Sequence, residues 1–202
     1  LKVPREITHE HRLLAARPLV DEFVASAAEL GPKLEAVLVQ LPPDFAPAER
    51  DALEPFVAEL PTGPRWALEV RDPAWLHGDV HARLRDTLGR RGVALAVTDG
   101  AFVPLESMLE ELRRPTASHA YVRWLGGRDA LPRFDRVVFD RSAEIARWAA
   151  ALKDATNDLM RVCGYANNTY SGHAPATVRA LYAALGIPHA RPPLVEQPSL
   201  FE

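Results

Sequence analysis

The sequence has 202 residues, of which 48% are hydrophobic and 25% are charged, a composition ordinary for a folded globular protein. Its formal net charge of −3 excludes a global attraction to nucleic acid or to an anionic membrane, so a polyanionic partner would need a local basic patch. The single cysteine, Cys163, excludes an internal disulfide and suits a cytoplasmic protein. No apolar run approaches the roughly 20 residues of a membrane-spanning helix, so we expect no membrane partner.

Short apolar runs alternate with helical repeats along the whole chain. The predicted strands lie at residues 1–3 (a stub), 34–41, 65–70, 93–97, 119–124 and 159–166. The predicted helices lie at about residues 18–30, 48–60, 80–88, 107–114, 142–152 and 175–185. Because strands that are buried on both faces and alternate with helices form parallel sheets, the sequence predicts an α/β protein.

Two architectures fit this alternation. An open doubly wound sheet would carry a glycine-rich phosphate loop after an early strand, and the sequence contains neither G-x-G-x-x-G nor G-x-x-x-x-G-K-[ST]. A TIM-type (β/α)8 barrel typically needs about 250 residues, so we predict such a barrel with about six of its eight units and a natural N-terminal segment before Leu1. The barrel forms one domain over residues 1–190, and residues 191–202 form a Pro-rich tail.

Five motifs occur in a fixed order along this chain. They begin at Lys2, Gln40, Glu69, Tyr121 and Asn167 and read KVPREITH, QLPP, EVRDPAW, YVR and NNTYSGHAP. The set resembles the YecE-like family, domain of unknown function 72, from residue 1 to about residue 190. The resemblance implies a TIM barrel with two more strands upstream, and it implies no established activity.

Two positions depart from the family pattern. Ala166 stands where members often have an aromatic residue, and Leu125 stands where they often have the histidine of Arg-x-His-Gly. A mechanism that needs that histidine is therefore not expected in this chain.

Polar side chains follow nearly every predicted strand, and barrels keep their active sites at these carboxyl ends. The predicted substrate-binding residues are Lys2, Gln40, Arg71, Trp75, Tyr121, Arg123, Asn167, Asn168, Tyr170, Gly172 and His173. Glu69 and Asp99 are the predicted catalytic residues, because they are the carboxylates at strand ends. Two carboxylates can act as acid and base, or can join His and Asn in holding a divalent metal ion, a candidate cofactor. The alternative is that they pair structurally with neighbours at the rim.

Three predicted strand ends carry a cation. Lys2, Arg71 and Arg123 would face the same mouth, and the planar fork of arginine suits phosphate or carboxylate. The alternative is that these cations neutralise Glu69 and Asp99 in an internal network.

The remaining candidates each have a structural alternative. Asn167 and Asn168 could bind a ligand or tie loop backbone together. Gly172 precedes a helix that could bind an anion, or the segment could be an ordinary helix cap. His9 and His173 could be ligands, bases or loop fasteners.

Three functions follow from this set of residues. The first is a hydrolase of a phosphate-bearing substrate, with Glu69 or Asp99 activating water directly or through a metal. The second is a non-catalytic module for a nucleotide or nucleic acid, with Trp75 and Tyr170 stacking on bases. The third is a sugar-active enzyme that uses Glu69 and Asp99 as its carboxylate pair.

Overall fold

The computed structural model describes residues 1–127, 134–155 and 159–188. Within these ranges the strands are β1 Val37–Gln40, β2 Trp66–Glu69, β3 Ala94–Leu95, β4 Val97–Gly100, β5 His119–Gly126 and β6 Arg161–Ala166. The helices are α1 Arg17–Ala28, α2 Arg50–Ala58, α3 Gly78–Arg90, α4 Leu105–Arg113, α5 Ser142–Ala155, α6 Asn168–Ser171 and α7 Ala174–Leu185. The predicted tail at residues 191–202 lies outside the described residues.

The structure differs from the predicted elements in three places. The segment predicted as a polar loop contains a π-helical turn, Glu6–Glu10, that buries Ile7 and Thr8. The single strand predicted at residues 93–97 is two short strands, β3 and β4. The four-residue helix α6 was not predicted, because its polar sequence has no apolar repeat.

The strands form two parallel sheets. The first has the order β1-β2-β3 and the second the order β4-β5-β6. Lys2 adds a single parallel bridge to Leu38 of β1. The chain passes from one sheet to the other at Ala96, whose amide donates to the Leu68 carbonyl at 2.8 Å before Val97 pairs with β5.

The prediction of a (β/α)8 barrel with six of its eight units is wrong. The described residues form six strands in two separate three-stranded sheets, and no closed barrel. In a closed barrel every strand has two neighbours, whereas β6 pairs among the described residues only with β5, and no ladder joins β3 to β4. The α/β class with parallel strands, predicted from the same alternation, is what the structure shows.

The two faces of each sheet pack differently, because successive strand residues point to opposite sides. The outer face packs against helices: Trp66 and Leu68 of β2 belong to one large apolar cluster, and Val122 of β5 belongs to another. The inner face carries a small cluster that both sheets share. Its members are Ala36, Leu38, Ala67, Ala94, Ala96, Tyr121 and Cys163. Because most of them are alanines, the inner faces lie close together.

Two polar contacts on the inner face of β5 join the sheets. His119 Nε2 donates to the Trp66 carbonyl oxygen at 3.0 Å, and Arg123, four residues later, reaches Glu69. His119 is buried, and that burial lowers its pKa from the ordinary value of 6.5. The sheets are therefore tied at two points along this strand.

Acidification should weaken the fold through His119. Because its pKa is depressed, its contribution to stability is complete above pH 6.5 and is lost as the pH falls toward the folded-state pKa. We expect His119→Gln, which keeps an N–H donor, to lose less unfolding free energy than the wild type between about pH 6.5 and pH 5. Urea unfolding at both pH values measures the two losses, and equal losses would contradict this account.

Glycine is required at Gly126 by both backbone conformation and space. Its φ is +76°, and an added Cβ would lie 2.3 Å from the Thr169 carbonyl oxygen, whereas Gly186 has φ +74° and no neighbour within 4 Å. We expect Gly186→Ala to cost about 1 kcal/mol for the left-handed backbone alone. Gly126→Ala should cost at least about 3 kcal/mol, because α6 must also move. Chemical denaturation compares them, and equal costs would refute the close packing of α6 on β5.

Candidate functional site

The carboxyl ends of β1, β2 and β5 bring their polar side chains together on the inner face. Glu69 is 1% exposed; its Oε1 accepts a hydrogen bond from Arg71 Nε at 2.8 Å, and its Oε2 accepts one from Arg123 Nη1. The same Nη1 donates to Gln40 Oε1 at 3.2 Å. One buried carboxylate of the first sheet therefore holds two guanidiniums, one of which belongs to the second sheet.

Lys2 adds a third cation to this face. It bridges Leu38, two residues before Gln40, so its side chain lies on the inner side of β1. Burial lowers the pKa of Lys2, and so do the charges of Arg123 and Arg71, while Glu69 opposes the effect. Lys2 has no hydrogen bond or ion pair with any described residue. We call Lys2, Arg71, Arg123 and Glu69 the cationic cluster.

Both guanidiniums keep unused donors. Among the described residues, neither Nη of Arg71 nor Nη2 of Arg123 has a hydrogen-bond acceptor. The Arg71 guanidinium lies 4.8 Å from the centre of the Phe102 ring, a contact that orients its plane. Each of the two arginine side chains is 19% exposed, so a small ligand can reach them.

The π-helical turn places His9 beside the cationic cluster. His9 Nδ1 is 2.8 Å from Thr8 Oγ1, which fixes the ring. The pKa of His9 is lowered by burial first, and then by the positive charges of Arg5, Lys2 and Arg71. The imidazole at this edge of the cluster is therefore neutral at neutral pH.

Asp99 lies on the opposite face from Glu69. It follows Val97 by two residues, and Val97 packs in the outer cluster. Asp99 Oδ2 accepts hydrogen bonds from Trp148 Nε1 and from the Tyr170 hydroxyl, both at 2.8 Å. Burial and the Asp99 charge raise the pKa of Tyr170. Asp99 therefore anchors α5 and α6 to β4, and its predicted catalytic role stays a prediction that this geometry does not favour.

Two of the three predicted aromatic residues, Trp75 and Tyr121, belong to packed regions. Trp75 is 2% exposed, donates from Nε1 to the Phe45 carbonyl at 2.8 Å and stacks on the Phe45 ring. Tyr121 is also buried and stacks on Tyr165 with the ring centres 4.9 Å apart. Neither ring offers an open surface to a base or a sugar.

The two asparagines hold the loop after β6 together. Asn167 Oδ1 accepts from the Thr169 amide, and Asn168 Oδ1 accepts from the Ala174 amide at 2.8 Å. Asn168 therefore accepts a hydrogen bond from an amide in the first turn of α7. Anion binding at this helix terminus would need that amide to be free. His173 precedes that turn without a side-chain capping bond.

Gly172 does not face an open anion site. It has φ +104°, and an added Cβ would lie 2.5 Å from the Arg136 carbonyl oxygen. The amides of Val138 and Phe139 both donate to the Ser171 carbonyl, so the segment around them covers the loop. Close packing, rather than a ligand, accounts for glycine at this position.

The structure thus divides the predicted residues into two groups. It brings together Lys2, Gln40, Glu69, Arg71 and Arg123. It gives Asp99, Trp75, Tyr170, Asn167, Asn168 and Gly172 contacts elsewhere in the fold, and His173 precedes α7. Tyr121 belongs to both groups: it stacks on Tyr165, and it lies close enough to Arg123 and Glu69 for their charges to act on its pKa, which burial raises.

Comparison with known proteins decides the family. The model of a family described as "Protein of unknown function DUF72" matches residues 1–200. The chain belongs to the DUF72 family.

Relatives of this family member are known from sequence and from structure. The UPF0759 protein YecE of Escherichia coli, strains K12 and O157:H7, is 29% identical over 143 residues, which are 63% of this chain and 53% of YecE. The chain thus spans about half the length of these curated relatives.

Two solved structures of DUF72 proteins share the fold. The protein from Enterococcus faecalis V583 aligns with a TM-score of 0.73 at 19% identity, covering 93% of this chain and 77% of that one. The protein from Thermotoga maritima MSB8 aligns with a TM-score of 0.70 at 18% identity, covering 92% of this chain and 72% of that one.

The donor set of this DUF72 chain does not fit a metal site. Among the described residues, no group of three or more His, Cys, Asp or Glu side chains could hold a metal ion. Glu69, the buried carboxylate of the cationic cluster, has both oxygens occupied by arginines, and these cations would repel a divalent ion. No helix in the described part of the chain is long and apolar enough to cross a membrane.

Sequence reasoning missed two residues that support the site. Phe102 lies under Arg71, and Thr8 fixes His9. Phe102 is 31 positions away from Arg71 along the chain (102 − 71), so no spacing pattern links them. Thr8 is adjacent to His9 in the sequence. Because this segment was predicted as a polar loop, the burial of Thr8 in a helical turn was not expected.

Truncating Asp99 should weaken the fold without affecting the cationic cluster. Asp99→Ala leaves the Tyr170 hydroxyl and the Trp148 N–H without their acceptor, which should cost about 2–4 kcal/mol of unfolding free energy. Asp99→Asn keeps one oxygen acceptor and should lose less. Urea denaturation gives the free energies, and phosphate titration gives the anion affinity. Loss of anion binding in a folded Asp99→Asn protein would contradict the assignment of Asp99 to the outer face.

Proposed function

We propose that this DUF72 protein binds a phosphate-bearing small molecule at the cationic cluster. The observation that supports it is the imbalance of charge: Lys2, Arg71 and Arg123 surround Glu69, the carboxylate paired with both arginines. Three cations held together beside one carboxylate repel one another, and an anion relieves that repulsion.

The unused donors favour phosphate among anions. A guanidinium presents its N–H groups as a planar fork that matches two oxygens of a phosphate. Arg71 keeps both Nη groups and Arg123 keeps Nη2 unused among the described residues. Glu69 and Phe102 hold the Arg71 side chain from two directions. Because the side chain is already ordered, little of its conformational entropy is lost when a ligand binds.

Hydrolysis of this ligand stays a prediction from the sequence. Glu69 is the candidate base, and each of its oxygens already accepts a hydrogen bond from an arginine. This arrangement favours positioning the arginines over taking a proton from water. Release of inorganic phosphate from an aryl phosphate by the wild type, and its loss in Glu69→Gln with ligand binding intact, would support a hydrolase.

The geometry favours phosphate binding over the two alternative functions. A sugar-active enzyme needs two carboxylates that flank the scissile bond in one cleft, and Glu69 and Asp99 point to opposite faces of the sheets. A stacking nucleic-acid module needs exposed rings, and Trp75 and Tyr170 are both buried.

Phosphate should stabilise the wild type through Lys2. Lys2→Gln removes a cation that has no partner in the described structure, so we expect the unliganded variant to be at least as stable as the wild type. Its stabilisation by phosphate should be smaller, because stabilisation follows ligand affinity. Thermal unfolding with and without phosphate measures both effects.

The matched control for this experiment is Lys33→Gln. Lys33 is an exposed lysine in the short turn Gly31–Lys33, so the variant carries the same change of net charge at a distant place. If the two variants lose the same amount of stabilisation by phosphate, the effect of phosphate depends on the net charge of the protein, and phosphate does not bind at the cationic cluster.

Neutralising Glu69 should make the fold depend on an anion. Glu69→Gln leaves Arg71 and Arg123 without their buried counter-charge, which should cost roughly 3 kcal/mol of unfolding free energy. Added phosphate should restore more stability to this variant than it adds to the wild type. Chemical denaturation at several phosphate concentrations tests this, and a smaller phosphate effect in the variant would contradict the proposed site.

A further inference from the structure

The net charge of the cationic cluster follows from its four residues. Its residues are three cations and one carboxylate, which leaves two positive charges in excess. Asp44, which lies near His9, is already paired with Arg12 at 3.1 Å. Arg5 adds further positive potential near Lys2.

The unused donors and the excess charge both match the same kind of ligand. Arg71 offers two Nη groups, Arg123 offers Nη2 and Lys2 offers its ammonium, none with an acceptor among the described residues. A phosphate monoester presents three unesterified oxygens and carries about two negative charges above its second pKa of about 6. A phosphate diester or a carboxylate presents two oxygens and one charge, so it would leave both a donor and a cation unmatched.

Building on the proposed function, we infer that the ligand is a phosphate monoester, bound as its dianion through the terminal phosphate at Lys2, Arg71 and Arg123. The cluster selects a terminal phosphate against the diester of a nucleic-acid backbone. Selection comes from charge matching, because each added ligand charge meets the same three cations.

The probes for this inference are methyl phosphate and dimethyl phosphate. They differ by one methyl ester, and at pH 8 the first is a dianion with three free oxygens and the second a monoanion with two. We expect methyl phosphate to bind at least about tenfold more tightly at low ionic strength, since screening by salt weakens the difference. Isothermal titration calorimetry at pH 8 and pH 5 measures both affinities.

The ratio of the two affinities isolates the charge of the ligand. His9 lies near Lys2, Arg5, Arg71 and Asp44, and any change in its charge acts on both ligands, so it largely cancels in the ratio. Methyl phosphate itself becomes a monoanion at pH 5, so the ratio should fall toward one. Lys2→Gln should lower the ratio at pH 8, and Lys33→Gln should leave it unchanged.

The outcomes separate this inference from the proposed function. A high ratio at pH 8 that falls at pH 5 and in Lys2→Gln supports a monoester dianion. Equal binding of both phosphates overturns the inference and leaves a phosphate site in place. Binding of neither, in protein shown to be folded by circular dichroism, overturns both.

Discussion

The structure depends on one buried carboxylate held between two arginines. Glu69 ends β2 of the first sheet, Arg123 lies on β5 of the second, and their ion pair joins inner faces that are otherwise lined by small residues. A buried charge is tolerated when it is paired and hydrogen-bonded, and removing a partner is costly. The same pair also fixes the positions of the donors at the strand ends, so the junction of the sheets and the candidate site are the same residues.

The excess of positive charge at this junction lowers the stability of the fold, and packing alone does not explain why these cations are placed together. Lys2 is exposed, and partial burial together with the charges of two arginines lowers its pKa. Ionisable groups with perturbed pKa values gather at functional sites. Another carboxylate of the fold shows the contrast: Asp99 accepts from two neutral donors, Trp148 and Tyr170, and ties helices to a strand. The first arrangement suits a ligand, and the second suits stability.

Sequence reasoning could predict the parallel α/β class and most of the strand-end residues, because apolar runs and their polar ends are local features. It could not predict the break at Ala96, since the run of residues 93–97 is uninterrupted and buried throughout. The separation of Glu69 from Asp99 follows from the faces of their strands: Ala67, two residues before Glu69, lies on the inner face, and Val97, two residues before Asp99, lies on the outer face. That assignment needs the register between strands, which one sequence does not supply.

The most direct test of the account is the location of a bound dianion. Crystals of this protein soaked in selenate would reveal the anion by the anomalous scattering of selenium. The account predicts a selenium peak about 4 Å from the unused Nη atoms of Arg71 and Arg123, because an oxygen of the anion lies between selenium and each donor, with Lys2 turned toward it. A peak at the amides of α7, with none at the cationic cluster, would contradict the central claim that the junction of the two sheets is the anion site.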